Sequence, residues 1–503
     1  MSDSRTLLLQ RMQAVVQDRA DAVAVCEAAG NVTYQQFSRM VGGYRGMLNA
    51  ADRDGRSAIG LLLDRSSQAY AAMWAAIGEG RPYVPLNQTY PTSRLKPIVS
   101  SADVEFVICQ ANTVDLAAEL GFDAEHILLL DLDADGALTG PQIWSAGNSG
   151  GSIAYVLYTS GSTGKPKGVP ISYENLLAFV DNMMATIPYP PDSICSQVCE
   201  LSFDFSVHEI YLALLSGAIL CPARQIDLFN PAQFIAKNAI SVWISVPSLA
   251  RVILTNRAFE QSSLDSIRLS IFNGEPLTAQ IARDWQSAIP ETVVWNTYGP
   301  TECTVAATAQ LWTDRDDLCE IGVVSIGSPL PGCQVAVADG DEVLPLVVDT
   351  AERIGELLLK TAQCFDGYAD PAIARPFLSD GSASEYYRTG DKVLWRDNRL
   401  FHLGRLDHQV KIGGHRIELM EVEWHLRRLL GVETLAVVTF PKQHPTELVL
   451  FVEGIDEIPR LDAAELSLPT YMMPKRSVKL DALPVTPHGK LDRIALQSML
   501  ETA

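Results

Sequence analysis

Apolar residues in this chain come in short dense runs, separated by stretches in which they recur every three or four positions. AIGLLLD near residue 60, EFVICQA, HILLLDL, SVWISV and RLSIFNG are runs of the first kind, rich in β-branched residues, and read as strands buried on both faces. SSQAYAAMWAAIGEG, FIAKNAI and QIARDWQSAI are of the second kind and read as helices. Their alternation predicts layered α/β architecture with largely parallel sheets. The texture changes near Leu406. From there DHQVKIGGHRIELMEVEWHLRRLLGVETLAVVTF reads strand, turn, strand, helix, strand, and Pro469 to Pro474 break the pattern before the tail. The expected division is therefore a large α/β unit over 1–406 and a small α+β unit over 407–503.

Length agrees with that division, since 503 residues exceed one compact core and suggest two to four units. The formal net charge of -21 excludes a nucleic-acid backbone as the main partner, which needs a basic surface. No apolar run approaches ~20 residues, and the N-terminal MSDSRTLLLQRMQAVVQDRA is a charged amphipathic pattern rather than a leader, so the chain reads as cytoplasmic, with no membrane partner. The nine cysteines show no CxxC pair, which predicts reduced structural thiols and no cysteine metal site.

Chemistry concentrates in five glycine-containing loops. YVLYTSGSTGKPKGV, Tyr155 to Val169, follows a predicted strand with three glycines, a Ser/Thr cluster and two lysines. Backbone N–H groups of such a turn converge on an anion, hydroxyls add donors and lysine adds charge, so the loop suits a triphosphate. It is not the GxxxxGK[ST] phosphate loop, because its first lysine precedes a proline. NTYGPTECTV, YRTGDKV, GRLDHQVKIGGHRIEL and PHGKLDR follow in that order. Singly, Asp391 in TGD reads as a turn residue and Lys490 as a solvated charge; together and in sequence, the loops point to one site.

As a set these motifs resemble the adenylate-forming superfamily, and within it the amino-acid adenylation enzymes that load carrier proteins. The resemblance runs from NVTYQQFSRMV and GEGRPYVPLNQTYP to HGKLDR. It implies a large N-terminal domain of layered α/β sheets with a small mobile α+β C-terminal lid. It also implies ATP and Mg²⁺ as cofactors, and a reaction in which a carboxylate attacks the α-phosphorus and pyrophosphate leaves. Such a reaction needs phosphate charge neutralised and reactants held in line.

By the resemblance, Thr159, Ser160, Gly161, Ser162, Thr163, Gly164 and Lys167 wrap the phosphates, and Thr301 contacts phosphate. Glu302 helps hold the metal, a hard cation that prefers carboxylate and phosphate oxygens. Asn296, Thr297 and Tyr298 lie at the nucleotide, with Tyr298 against the adenine; Asp391 takes the ribose hydroxyls and Arg405 assists it. Lys490 bridges substrate carboxylate and phosphate oxygens. Asp407 is the hinge about which the small domain turns, so that Lys490 leaves and the KIGGHRIEL loop enters to guide a phosphopantetheine thiol. Gly413 departs from relatives that carry a larger or charged residue there.

For the substrate, Asp204 in LSFDFSVHEIY is expected to pair with an α-ammonium, which points away from fatty or aryl acids. Phe205, His208, Ser245, Ile271, Asn273, Thr297, Val305 and Ala306 are the pocket candidates, a small to medium, partly polar set. WNTYGPTECTVAAT looks most like freestanding D-alanine:carrier-protein ligases, although Asn273 and His208 differ from their usual residues. Those two could hydrogen-bond a polar side chain or face structural partners. With 13 residues after Lys490, and neither a carrier attachment segment nor a condensation motif, the aminoacyl group is expected to pass to a separate phosphopantetheinylated carrier protein. The alternative is an acyl-CoA ligase using free coenzyme A.

Overall fold

The computed structural model describes residues 3–51, 57–129, 140–147, 151–161, 165–255, 264–315, 318–320, 322–348, 350–381, 385–407, 409–432, 434–442, 445–455, 457–484 and 491–502. Two largely parallel sheets form the body of the large unit. One has nine strands, in the order Ser328–Pro329, Thr308–Leu311, Val293–Tyr298, Leu269–Phe272, Val242–Ser245, Ile194–Gln197, Ile219–Pro222, Val23–Glu27 and Gly30–Thr33. The other has six, running from Ile127–Leu129 through Ala58–Leu62 to Ile153–Thr159 and Lys167–Ser172. The strands expected from the dense apolar runs are all present, and most pair in parallel.

Helices pack on the faces of these sheets, and two of them, Ser67–Glu79 and Phe205–Leu215, are buried on nearly every side. Ser67–Glu79 is capped by Ser66, whose side chain accepts from Ala69 N–H, and ends at Gly80 in the left-handed conformation. Its Trp74 packs against Trp144 and Tyr211. Helix Phe205–Leu215 has every residue buried, the polar Ser206, His208 and Glu209 included. That burial fixes its N-terminal end, and with it Asp204, at the mouth of the site.

The expectation of largely parallel sheets fails over 334–405. Gln334–Asp339, Glu342–Leu346, Arg353–Lys360, Phe377–Ser379, Glu385–Arg396 and Arg399–Arg405 form an antiparallel sheet. The physical reason is local: no helix separates these strands, so hairpins join several of them. One turn carries Asp397 and Asn398 at φ 51° and 61°, the left-handed pair that matches strand twist.

Beyond 409 the order is as read: strands Gln409–Ile412 and His415–Glu418, helix Leu419–Leu430, then strand Leu435–Phe440 in a three-stranded sheet. Here Ile417, Leu419, Val422 and Leu426 pack with Leu435, Val437 and Leu450 in a cluster of their own. Cysteine chemistry differs from expectation. Cys303 and Cys364 are joined in a disulfide, with Cα atoms 3.9 Å apart. They stand 61 residues apart without motif spacing, so the fold alone brings them together.

Candidate functional site

Residues of four of the five loops line one cavity of about 410 Å³, Thr159, Ser160, Thr301, Asp391 and Arg405 among them, together with Asp204; of the fifth, PHGKLDR, residues 487–490 lie outside the described residues. A neighbouring cavity of about 250 Å³ is lined by Asn296, Thr297, Tyr298, His402 and Lys411, and shares Asp391 and Arg405. Thus the strand ends Thr159, Tyr298 and Arg405, drawn from three sheets, face a common space.

Glu302 sits in a 3-10 turn, Thr301–Cys303, that follows strand Val293–Tyr298. After it, Thr304 and Val305 adopt φ 51° and 70°, a region that β-branched residues rarely enter. The Gln363 amide holds this strained loop by donating to the carbonyls of Cys303, Thr304 and Ala306, while Thr304 Oγ1 donates back to Gln363 O at 2.7 Å. The disulfide closes the same contact. Glu302 is 1% exposed. Burial pushes its carboxyl upward, but the Arg416 guanidinium overrides this, aided by the Tyr368 hydroxyl at 3.0 Å, and holds it below the usual carboxylate range.

Asp391 lies on strand Glu385–Arg396, directly opposite Arg405 on its neighbour. Gly390, at φ +71°, lets the strand turn there, and a Cβ would sit 2.7 Å from Arg405 Nη2. Tyr298 donates its hydroxyl to Asp391 Oδ2 at 2.5 Å; His402 Nε2 and Arg405 Nη1 face Oδ1 at 3.0 and 3.2 Å. Burial raises this carboxyl, and His402 and Arg405 outweigh it, leaving Asp391 ionised. Arg405 also forks onto Asp407, at 3.0 and 2.6 Å, tying the expected ribose residue to the expected hinge. Lys167 lies 5.7 Å above the Tyr368 ring.

Asp204 precedes helix Phe205–Leu215, where the helix dipole favours an anion. Burial nevertheless raises its carboxyl, against the Thr301 hydroxyl and the Lys411 ammonium. Behind it, His208, Ser245, Ile271, Val305 and Ala306 are each at most 1% exposed. Phe205 stands edge-on to His208 at 5.3 Å. Asn273 lines both cavities, while the side chains of Asn273 and His208 also have partners within the protein. His208 Nε2 is engaged by the Tyr189 hydroxyl at 2.7 Å, and its Nδ1 is buried without a partner among the described residues. Asn273 donates to Val305 O at 3.2 Å and accepts from Gly274 N–H. Asn296 and Thr297 are likewise bonded inward, to Ser325 O at 2.9 Å and Phe272 O at 3.2 Å. Ser162, Thr163, Gly164 and Lys490 lie outside the described residues.

The hairpin of the small unit reaches into this space. Gly413 and Gly414, at φ 59° and 79°, make its turn, and Gly414 N–H donates to Glu275 Oε1 at 2.8 Å. His415 stacks on Tyr471 at 3.8 Å and meets Phe203 edge-on at 4.4 Å. Ser160 Oγ donates to Arg416 O at 2.8 Å. Lys411, half-buried, interacts with the charges of Asp391 and Asp204. Sequence reading singled out this hairpin but gave no roles to Arg416 or Lys411, though both lie in the quoted loop; His402, Tyr368 and Arg94 carried no signal at all.

Convergent glycine loops, a buried carboxylate after a GPTE turn and a second one under a tyrosine define an adenylate-forming site. The chain belongs to the AMP-binding enzyme family, whose match spans residues 12–369. It is 31% identical over 440 residues to a D-alanine–D-alanyl carrier protein ligase of Bacillus licheniformis, covering 84% of this chain and 85% of that one. A D-alanine–D-alanyl carrier protein ligase of Listeria monocytogenes is 30% identical over 521 residues, with 98% and 99% coverage. Among solved structures, the Vibrio cholerae adenylation domain AlmE in complex with glycyl-adenosine-5'-phosphate superposes with a TM-score of 0.87, at 27% identity, covering 100% of this chain and 99% of that one.

Proposed function

We propose that this protein is an ATP-dependent amino acid:carrier-protein ligase, which forms an aminoacyl adenylate and passes the aminoacyl group to the phosphopantetheine thiol of a separate carrier protein. The observation that carries the reading is the placement of Asp204. Its half-buried carboxylate stands beside Thr301 in the cavity that also holds Asp391, so a substrate α-ammonium would gain a charge partner where the carboxylate end of the molecule faces the nucleotide site. In this reading Asp391 and Arg405 hold the ribose, Tyr298 lies at the adenine, and Ser160, Gly161 and Lys167 meet phosphate. Lys490 supplies charge at the reacting oxygens, and the chain divides at Asp407.

Magnesium fits the donors available. Glu302 and Thr301 would offer one carboxylate and one hydroxyl. That suits a hard cation ligated mostly by phosphate oxygens, whose charge it would offset.

The closed set behind Phe205 and Asn273 supports a small side chain, so glycine and alanine are the favoured substrates, D-alanine among them. The names of the carrier-protein ligase relatives and the glycyl adenylate held by AlmE agree with a small substrate. For the second half-reaction, the larger cavity continues past Gly413 and Gly414 to Leu228, Leu249 and Val252, the last exposed, and so offers a thiol arm a route from the surface. Hydroxylamine trapping with glycine, both alanines, serine, aspartate and propionate tests the reading. Signal with glycine or alanine supports it; signal confined to propionate overturns it.

A further inference from the structure

The bridge between Cys303 and Cys364 lies beside the carboxylate assigned to the metal. Cys303 directly follows Glu302 in the turn Thr301–Cys303, and Cys364 belongs to the loop at 361–368 that carries Tyr368. Hydrogen bonds tie the same two segments: Phe365 N–H donates to Glu302 O at 2.8 Å, and Tyr368 donates its hydroxyl to Glu302 Oε1 at 3.0 Å. From the far side Asn175 Nδ2 donates to Ala362 O at 2.7 Å and to Cys364 O at 2.9 Å, which anchors the loop. The turn has no such independence, because Thr304 and Val305 hold a left-handed backbone that costs β-branched residues energy. It keeps that shape through the grip of the loop, and the bridge is the covalent part of the grip.

The other seven cysteines are free thiols, and the chain buries large apolar clusters, so its stability does not call for a covalent staple. The two bridged residues also differ in access. Cys303 is fully buried, whereas Cys364 is half-buried, so a thiol from solvent meets Cys364 first.

We propose that Cys303 and Cys364 are a reversible thiol–disulfide site for low-molecular-weight thiols and disulfides, and that the bridged form is the one whose Glu302 turn is set for magnesium and phosphate. The proposal rests on the adenylate-forming reading of that turn. In the reducing direction a thiolate RS⁻ attacks Cys364 Sγ; the bridge breaks, Cys303 leaves as thiolate and takes a proton, and Cys364 carries SR. A second RS⁻ attacks the SR sulfur, which releases RSSR and Cys364 as a thiol once protonated. Two RSH are thereby oxidised to one RSSR, and the bridge gains two electrons and two protons. Oxidation runs the same steps backward, with Cys303 displacing RS⁻ from Cys364. When the bridge opens, only hydrogen bonds from Gln363 and Phe365 hold the turn backbone to the loop. A displacement of about 1 Å at reacting groups can cost about 100-fold in rate, so a looser turn is a slower one.

The test compares the full-length protein after incubation with oxidised and with reduced glutathione. Alkylation in denaturant followed by mass spectrometry should find seven free thiols in the first sample and all nine in the second, with residues 303 and 364 the pair that changes. Magnesium chloride should tighten binding of α,β-methylene-ATP about fivefold less in the reduced sample. In the same sample kcat/KM for ATP in pyrophosphate exchange should be about tenfold lower, and should recover on reoxidation. Cys364→Ala and Cys303→Ala should both stay near the reduced-form value and ignore glutathione. A thiol count that glutathione leaves unchanged overturns the proposal, as does an equal effect of magnesium in the two samples. A bridge that alters thermal unfolding and nothing else is a structural staple, and that result overturns it too. Thiol counting and analogue binding need no amino acid, so a lack of exchange with every amino acid would contradict the functional reading and leave those two arms to decide the proposal.

Discussion

Asp204 bears the most weight of any single residue. Its carboxylate gains a charge-assisted partner only when the substrate carries an amino group, an interaction of about 2–3 kcal/mol, so Asp204→Ala should lower kcat/KM for adenylation roughly 30- to 150-fold. Steady-state pyrophosphate release measures this, and an unaltered value would remove the main reason for choosing an amino acid. His208 makes a second prediction, for stability rather than rate. Burial pulls His208 down to about 3, from an ordinary 6.5. The unfolded chain therefore binds a proton near pH 6.5 that the folded chain refuses. The stability this group contributes is intact above pH 6.5 and is lost as pH falls toward 3, at about 1.4 kcal/mol per unit. Between pH 7 and 5, urea unfolding of the unmodified protein should lose about 2 kcal/mol more than that of His208→Gln. Equal losses would mean that His208 is not held neutral. Neither residue's surroundings were legible in sequence: LSFDFSVHEIY marks both side chains, but the inward pairing of His208 depends on Tyr189, 19 positions earlier.

Among the elements, the hairpin Gln409–Glu418 is the one whose position decides what the site can do. Its strand–turn–strand pattern was plain in the sequence, because two glycines interrupt alternating residues and a helix follows directly. Its seat was not plain, because Arg416 to Glu302 spans 114 residues and Arg94 to Glu421 spans 327. Periodicity reports the face an element buries, not the partner it finds. Gly414 makes the close approach: a Cβ there would lie 2.5 Å from Val246 Cγ1, on a backbone already at φ +79°. Gly414→Ala should lower aminoacyl transfer about tenfold more than it lowers adenylation, as two single-turnover rates would reveal. An equal effect on both would place the hairpin outside the second half-reaction. The strained Thr304–Val305 turn depends on another element, the loop bearing Gln363. Gln363→Ala removes the amide donor to the buried Cys303 and Ala306 carbonyls, Thr304 O keeping the Ala306 N–H, and should cost about 2–4 kcal/mol in denaturant unfolding, whereas a loss below about 0.5 kcal/mol would show that the disulfide suffices.

For the whole molecule, the two-unit plan was legible because its halves differ in rhythm, strand and helix alternating in one and a compact α+β order in the other. The antiparallel sheet at 334–405 was not, since short strands joined by hairpins lack the helical stretches that advertise a parallel layer. The site itself was legible as a set of loops rather than as a geometry. Each motif gave its own residues, and only the fold showed Asp391 beneath Tyr298, or Glu302 taken by Arg416. Among the described residues no helix is long and apolar enough to cross a membrane. With a formal charge of -21, the molecule must present local basic ground to any acidic carrier it serves. ATP/pyrophosphate exchange across D- and L-amino acids, glycine and acids without an amino group tests most directly whether the site activates a small amino acid. A strong signal for glycine or alanine, weak for larger side chains and lost in Asp204→Ala, is the predicted result. Exchange driven only by acids that lack an amino group, or best by a bulky or charged amino acid, would contradict it.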